Sequence, residues 1–166
     1  MSRLSGSKMP SYSAKAGRLW GFLTRRLVSK QKRGLPSQCG ALCWREVGGR
    51  KEVLLITSRE SGRWIIPKGW PMKGKTLAEA AAQEAWEEAG VRGVVHSTSV
   101  GRFRYVKRPR SLAATEVEVT VFPLHVHEEH DDFPERGERE KMWVAPRDAA
   151  QLVDNPSLRA LLASFG

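Results

Sequence analysis

The stretch Pro67–Val91, PKGWPMKGKTLAEAAAQEAWEEAGV, constrains this chain more than any other. A loop rich in Gly, Pro and Lys runs straight into an Ala-rich helix that carries Glu84, Glu87 and Glu88. At about 100° per residue, with Glu84 at zero, Glu88 falls near ~40° and Glu87 near ~300°, so the three carboxylates share one sector. Ala78, Ala82, Ala85, Trp86 and Ala89 gather at roughly 100–200° and form the expected buried stripe. Like charges at i,i+4, as in Glu84 and Glu88, weaken a helix by a few tenths of a kcal/mol. Three carboxylates beside a turn are therefore either a solvated acidic face or a cation site, and hard divalent ions with oxygen ligands suit the second. Gly90 is placed to end the helix as its C′ residue, with Val91 following.

The spacing from the loop to these acids decides between the two. Starting at Gly69 the stretch resembles the Nudix box, G-x5-E-x7-R-E-U-x-E-E-x-G-U with U aliphatic. Gly69, Glu84, Ala85, Glu87, Glu88, Gly90 and Val91 stand at the matching places. Two positions depart: Lys75 replaces the first Glu, and Gln83 replaces the Arg. In the family these two positions hold a potential ion pair, so both members have changed together.

The resemblance implies an α/β fold, a Nudix-type α/β/α sandwich with a mixed central sheet. It also implies hydrolysis of a diphosphate linkage with Mg²⁺, or Mn²⁺, as cofactor. It assigns Glu84 and Glu88 as principal metal ligands, with Glu87 assisting and the Lys68 carbonyl beside Gly69 contributing. Glu84 or Glu87 would serve as general base, with Glu135, Glu138 and Glu140 as later-loop alternatives. Within the family the ALCWR strand, the VLLITSRE…RWIIPKG run and the EAGVRG exit look most similar to diphosphoinositol polyphosphate phosphohydrolases. That likeness covers roughly residues 35 to 150. In that subgroup the loop has several glycines where this chain has Lys68, Trp70 and Pro71.

The remaining chain divides by composition. Residues 1–34 hold basic side chains and no acid, the first carboxylate being Glu46. They read as a basic extension, either disordered, as the Ser, Gly and Pro of residues 1–17 suggest, and at most folded back on the domain, or with Leu19 to Leu27 as a short amphipathic helix suited to an anionic membrane or a transit peptide. Residues 35–166 are the expected hydrolase domain. Cytoplasmic residence is the expectation, with the mitochondrion as the alternative that this extension raises. The expected strands are Gln38–Arg45 and Glu52–Thr57 joined at Gly48-Gly49, then Trp64–Ile66, Val94–Val106, Ala113–Val126 and 142–144. Helices are expected from Pro146 to about Val153 and from Ser157 to Ser164. Cys39 and Cys43 are the only cysteines, too few for a disulfide framework or a structural zinc site. His125, His127 and His130 read as surface imidazoles rather than a metal site. No apolar run is long enough to span a membrane, and no stable membrane anchor is expected.

The chain carries 28 Lys and Arg against 18 Asp and Glu, a net charge of +10. That balance suits an anionic partner. Arg45, Arg59, Arg63, Lys68 and Arg108, with Lys107 and Arg110, are the candidate phosphate contacts, Gly69 lending close backbone approach. The expected substrate is a highly phosphorylated small molecule, such as a diphosphoinositol polyphosphate or a dinucleoside polyphosphate. Two alternatives stand beside it: removal of pyrophosphate from RNA 5′ ends with the basic arm gripping the strand, and a binding module whose turnover is impaired at Lys75 and Gln83.

Overall fold

Turn residues and alternation set up the first hairpin. β1 (Ser37–Val47) and β2 (Arg50–Thr57) pair antiparallel from Trp44↔Val53 to Val47↔Arg50. Gly48 and Gly49 close it at φ 58° and 73°, a left-handed pair that two-residue hairpins require and glycine supplies without strain. The computed structural model describes residues 34–108 and 113–166. The expected helix at Leu19–Leu27 and Arg110 lie outside them. Val53, Leu54, Leu55 and Ile56 are all buried, as an unbroken apolar strand must be when layers cover both faces.

The sheet forks around β1. Its second half pairs with β2, whereas its first half pairs with β4 (Lys68–Gly69) through Cys39↔Gly69 and Gly40↔Lys68. β3 (Trp64–Ile65) continues along β2 at Ile56 and Thr57. Residues 64–69 therefore wedge open β1 and β2, with Ile66 fully buried and the Pro67 carbonyl accepting from the Ala41 N–H at 2.9 Å. The sequence led us to expect β3 but not β4, because two residues of strand inside a Gly/Pro/Lys loop carry no periodicity.

β7 (Thr115–Glu129) runs parallel to β1 from Ser37↔Glu118 to Trp44↔His125. Its other edge takes β5 (Val91–Val95) and β6 (Gly101–Lys107), both antiparallel. The single strand expected over Val94–Val106 is thus two pieces on one edge, interrupted at residues 96–100. Hydrogen bonds from His96 N to Pro123 O and from Val100 N to Val121 O, each 2.9 Å, bracket the interruption. β8 (Lys141–Val144) completes the sheet on the free side of β2.

Helix α1 (Leu77–Ala89) covers one face, packing its alanines against Cys39, Ala41, Cys43, Leu54, Ile56, Phe122 and Leu124. On the other face α2 (Pro146–Leu152) and α3 (Pro156–Ser164) bury Ala149, Leu158 and Leu162 against Leu42, Val53, Leu55, Val119 and Val121. This is the mixed α/β/α sandwich expected. Proline sits in the first turn of both α2 and α3, where its missing N–H costs nothing. No helix among the described residues is long and apolar enough to cross a membrane.

Candidate active site

Thr76 starts α1 through a capping box: its hydroxyl accepts from the Glu79 N–H at 3.2 Å, and the Glu79 carboxylate accepts from the Thr76 N–H at 2.7 Å. Gly90 ends it at φ 70°. The buried residues are Ala78, Ala80, Ala81, Glu84, Ala85, Glu88 and Ala89, while Ala82 and Trp86 are half-buried. The buried arc therefore runs from about 320° to 140° on the scale set above, not 100–200°. Alanine's small side chain lets the helix turn two of its acids inward.

Glu84 is 3% exposed and Glu88 7%, so neither is part of a solvated face. A Cβ at position 69 would lie 2.0 Å from the Glu84 carboxyl group; only glycine admits that approach. Glu88 Oε2 accepts from the Lys68 N–H at 2.9 Å. Its Oε1 accepts from Arg139 Nη2, and Arg139 also donates to Glu135 at 3.0 Å and to the Thr57 carbonyl at 3.0 Å. Burial pushes the Glu88 carboxyl above its usual range, opposed by Arg139 and by the Lys68 N–H. Burial likewise pushes the Lys68 ammonium below its usual value, with Glu88 opposing.

The end of α1 also holds the acidic loop. His130 N donates to the Gly90 carbonyl at 2.8 Å, Glu135 N to the Glu87 carbonyl at 3.0 Å, and Lys141 Nζ to the Ala89 carbonyl at 3.3 Å. These contacts occupy carbonyls that a helix C-terminus leaves without intrahelical partners. Of the three later-loop acids, Glu135 comes closest to Glu88, linked through Arg139. Glu138 pairs with Arg59 at 3.0 Å on the exposed rim, and Glu140 is exposed.

The basic residues singled out in the sequence do not form one ring. Lys68 lies at the centre, its ammonium 5.0 Å over the Tyr105 ring, and Tyr105 donates to Gln38 at 2.8 Å. Arg59 joins the acidic loop through Glu135 at 3.4 Å and Glu138. Arg63 pairs with Asp154 at 3.3 Å, and Arg108 is exposed just past β6. Arg45 lies elsewhere. It pairs with Glu52 and Glu129 at 2.9 and 2.6 Å and stacks on Trp143, on the half of β1 that pairs with β2. Among the tryptophans, Trp44 stacks on His125 in that same half and Trp64 packs into the α2/α3 core. Trp70 follows Gly69 directly, with Lys107 5.5 Å from its ring. His125 and His127 contact each other at 3.1 Å, while His130 turns to Glu128.

Arg139 is the residue the sequence reading missed. It sits in the charged run ERGEREK, which reads as a solvated loop. The available signal was its i,i+4 spacing from Glu135.

Among the described residues no three His, Cys, Asp or Glu side chains converge as metal ligands, and Arg139 supplies the counter-charge to Glu88. The donor set nevertheless suits a hard divalent cation. Glu84 and Glu88 offer carboxylate oxygens next to the Lys68–Gly69 backbone, where Gly69 puts no side chain between, while Glu87 Oε1, one helical step away, accepts from Gln83 Nε2 at 3.0 Å.

The NUDIX domain family matches residues 36–165. Nudix hydrolase 21, chloroplastic, of Arabidopsis thaliana is 33% identical over 119 residues, covering 71% of this chain and 58% of that protein. Nudix hydrolase 12, mitochondrial, of the same plant is 32% identical over 121 residues, covering 69% and 58%. The chain thus spans less than two thirds of the length of these relatives. The crystal structure of a C. elegans Ap4A hydrolase shares the fold at a TM-score of 0.56 and 21% identity, covering 80% of this chain and 96% of that one.

Proposed function

Because the chain belongs to the NUDIX family, we propose that it hydrolyses a diphosphate linkage in a highly phosphorylated small molecule. The observation that carries this reading is the burial of Glu84 and Glu88 against the Lys68–Gly69 backbone. Two acids buried side by side need positive charge around them; Arg139 gives it to Glu88 from one side, and a divalent ion would add it at the Lys68–Gly69 backbone. Glu84 and Glu88, assisted by Glu87 and the Lys68 carbonyl, would hold Mg²⁺ or Mn²⁺. When bound, such an ion neutralises anionic phosphate oxygens and lowers the pKa of water.

The chain's own side chains do the rest. The Lys68 and Lys107 ammonium groups receive phosphate oxygens, and Arg59, Arg63 and Arg108 extend a cationic rim for further phosphates. Gly69 keeps the backbone close to the reacting phosphate. Proton removal from water falls to Glu84 or Glu87, with Glu135, held by Arg139 and the end of α1, as the loop alternative. Arg45, paired with Glu52 and Glu129 on the β2 half of β1, stands apart from this rim, whereas Arg59 and Arg63 would exchange Glu135, Glu138 and Asp154 for phosphate.

A dinucleoside polyphosphate and a diphosphoinositol polyphosphate both fit this cationic rim. The name of the C. elegans neighbour supports the former, the strand motifs the latter. For the compartment, the acid-free block 1–34 and the mitochondrial name of one relative support an organelle over the cytoplasm.

The deciding experiment incubates nucleotide, dinucleotide and inositol diphosphates with the protein and Mg²⁺, identifying products by mass. Cleavage of at least one diphosphate, lost in Glu88→Gln, is the expected result. No turnover of any member, with no Mg²⁺ uptake by calorimetry, would overturn the proposal.

A further inference from the structure

We propose that Gln83, clamped by Lys75, is a positioning residue that fixes the Glu87 carboxylate. The inference rests on the hydrolase reading above and concerns the two positions at which this chain departs from the Nudix box. Lys75 Nζ donates to Gln83 Oε1 at 3.1 Å, and Gln83 Nε2 donates to Glu87 Oε1 at 3.0 Å. An ammonium on one side and a carboxylate on the other leave the amide one orientation: oxygen towards Lys75, nitrogen towards Glu87. Both hydrogen bonds have a charged partner, the stronger kind.

The geometry explains why both positions change together. Gln83 and Glu87 are i,i+4 on α1, so their side chains meet on one face. Lys75 lies in the turn before the helix, its N–H donating to the Met72 carbonyl at 3.2 Å, immediately before the Thr76 cap. The relay therefore ties the loop to the second turn of α1 and ends on a site acid. Arg at position 83 alone would set a guanidinium against the Lys75 ammonium. Glu at position 75 alone would remove the donor that fixes the amide. Changing both to the family residues gives a continuous chain in which a guanidinium at position 83 donates both to a carboxylate at position 75 and to Glu87.

A double-mutant cycle tests this, read by Mn²⁺ affinity from calorimetry and by kcat and KM on the diphosphate the protein cleaves. Gln83→Ala is expected to weaken Mn²⁺ binding about tenfold, at the low end of what loss of a ligand's supporting contact costs. It should lower kcat by a similar factor with KM within about twofold, and the pair Lys75→Glu with Gln83→Arg should recover both. Lys75→Ala should change Mn²⁺ affinity when Gln83 is present and leave it unchanged when position 83 is Ala. A through-space charge effect would instead appear equally in both backgrounds, and that result overturns the proposal. So does Gln83→Ala binding Mn²⁺ as the parent does. If the parent takes up no Mn²⁺, the hydrolase reading itself falls and the inference with it; uptake by the parent with an unaltered Gln83→Ala variant removes the inference alone.

Discussion

The two faces of the sheet are filled by different chemistry. The α2/α3 face packs Leu42, Leu55, Phe103, Leu158 and Leu162, an apolar interior of large side chains. The α1 face uses Ala and Cys at the contact and admits two carboxylates and a guanidinium below a tenth exposed. Small side chains line that contact, and Glu84 approaches Gly69 so closely that a Cβ there would lie 2.0 Å from its carboxyl group. One face supplies stability. The other exchanges apolar burial for a charged cluster at the fork between β1 and β2.

If that contrast holds, substitutions on the two faces must separate activity from stability. The largest effect is expected from Glu88→Gln. It should reduce kcat/KM by on the order of 10³-fold, as loss of one charge-stabilising group at a reacting centre does, while the thermal midpoint falls less than in Arg139→Leu, because Arg139 keeps Glu135 and the Thr57 carbonyl. Steady-state kinetics beside a melt would show it, and retained activity would break the contrast. Arg139→Leu should cost about 3–5 kcal/mol in denaturant unfolding, because Glu88 then stays buried without its counter-charge. A neutral result would mean that the guanidinium does not compensate Glu88.

On the apolar face Leu162→Ala should cost about 2–5 kcal/mol while leaving kcat and KM close to the parent values. A selective loss of kcat there would merge the two faces functionally. Gly69→Ala should be milder for stability, about 1–3 kcal/mol as for other overpacked sites, yet lower activity by displacing Glu84. The smallest expectation concerns the thiols. Burial pushes the Cys39 thiol up to about 12, and burial raises Cys43 further. At pH 8 only about one Cys39 in ten thousand would be a thiolate, so a thiolate-dependent reagent should label neither cysteine until the chain unfolds. Fast labelling of the folded protein would show the α1 contact to be looser than described.

The sequence disclosed the face that carries Glu84, Glu87 and Glu88 better than its depth. Spacing from Gly69 to Glu84, Glu87 and Glu88 located loop, helix and acids, because each is held by residue type. Burial of Glu84 and Glu88 was hidden, since a helical wheel weighs glutamate as a surface residue and alanine as neutral. Thr76 and Glu79 form a capping box that could have been read directly from T-x-x-E. The β5/β6 interruption and the two residues of β4 could not, because both depend on partner strands distant in sequence. Arg45 and Arg59 look alike as isolated basic residues; which half of the fork each one serves is settled only by pairing.

The parallel contact between β1 and β7 has a consequence for how the chain acquires its shape. Ser37 meets Glu118, so closing that ladder joins segments about eighty residues apart. During synthesis the first hairpin must wait, without its central neighbour, until β7 has followed it from the ribosome. A strand as apolar as β2 is then exposed to chaperones and to other nascent chains. Slow refolding from denaturant and a need for chaperone assistance should therefore accompany this topology.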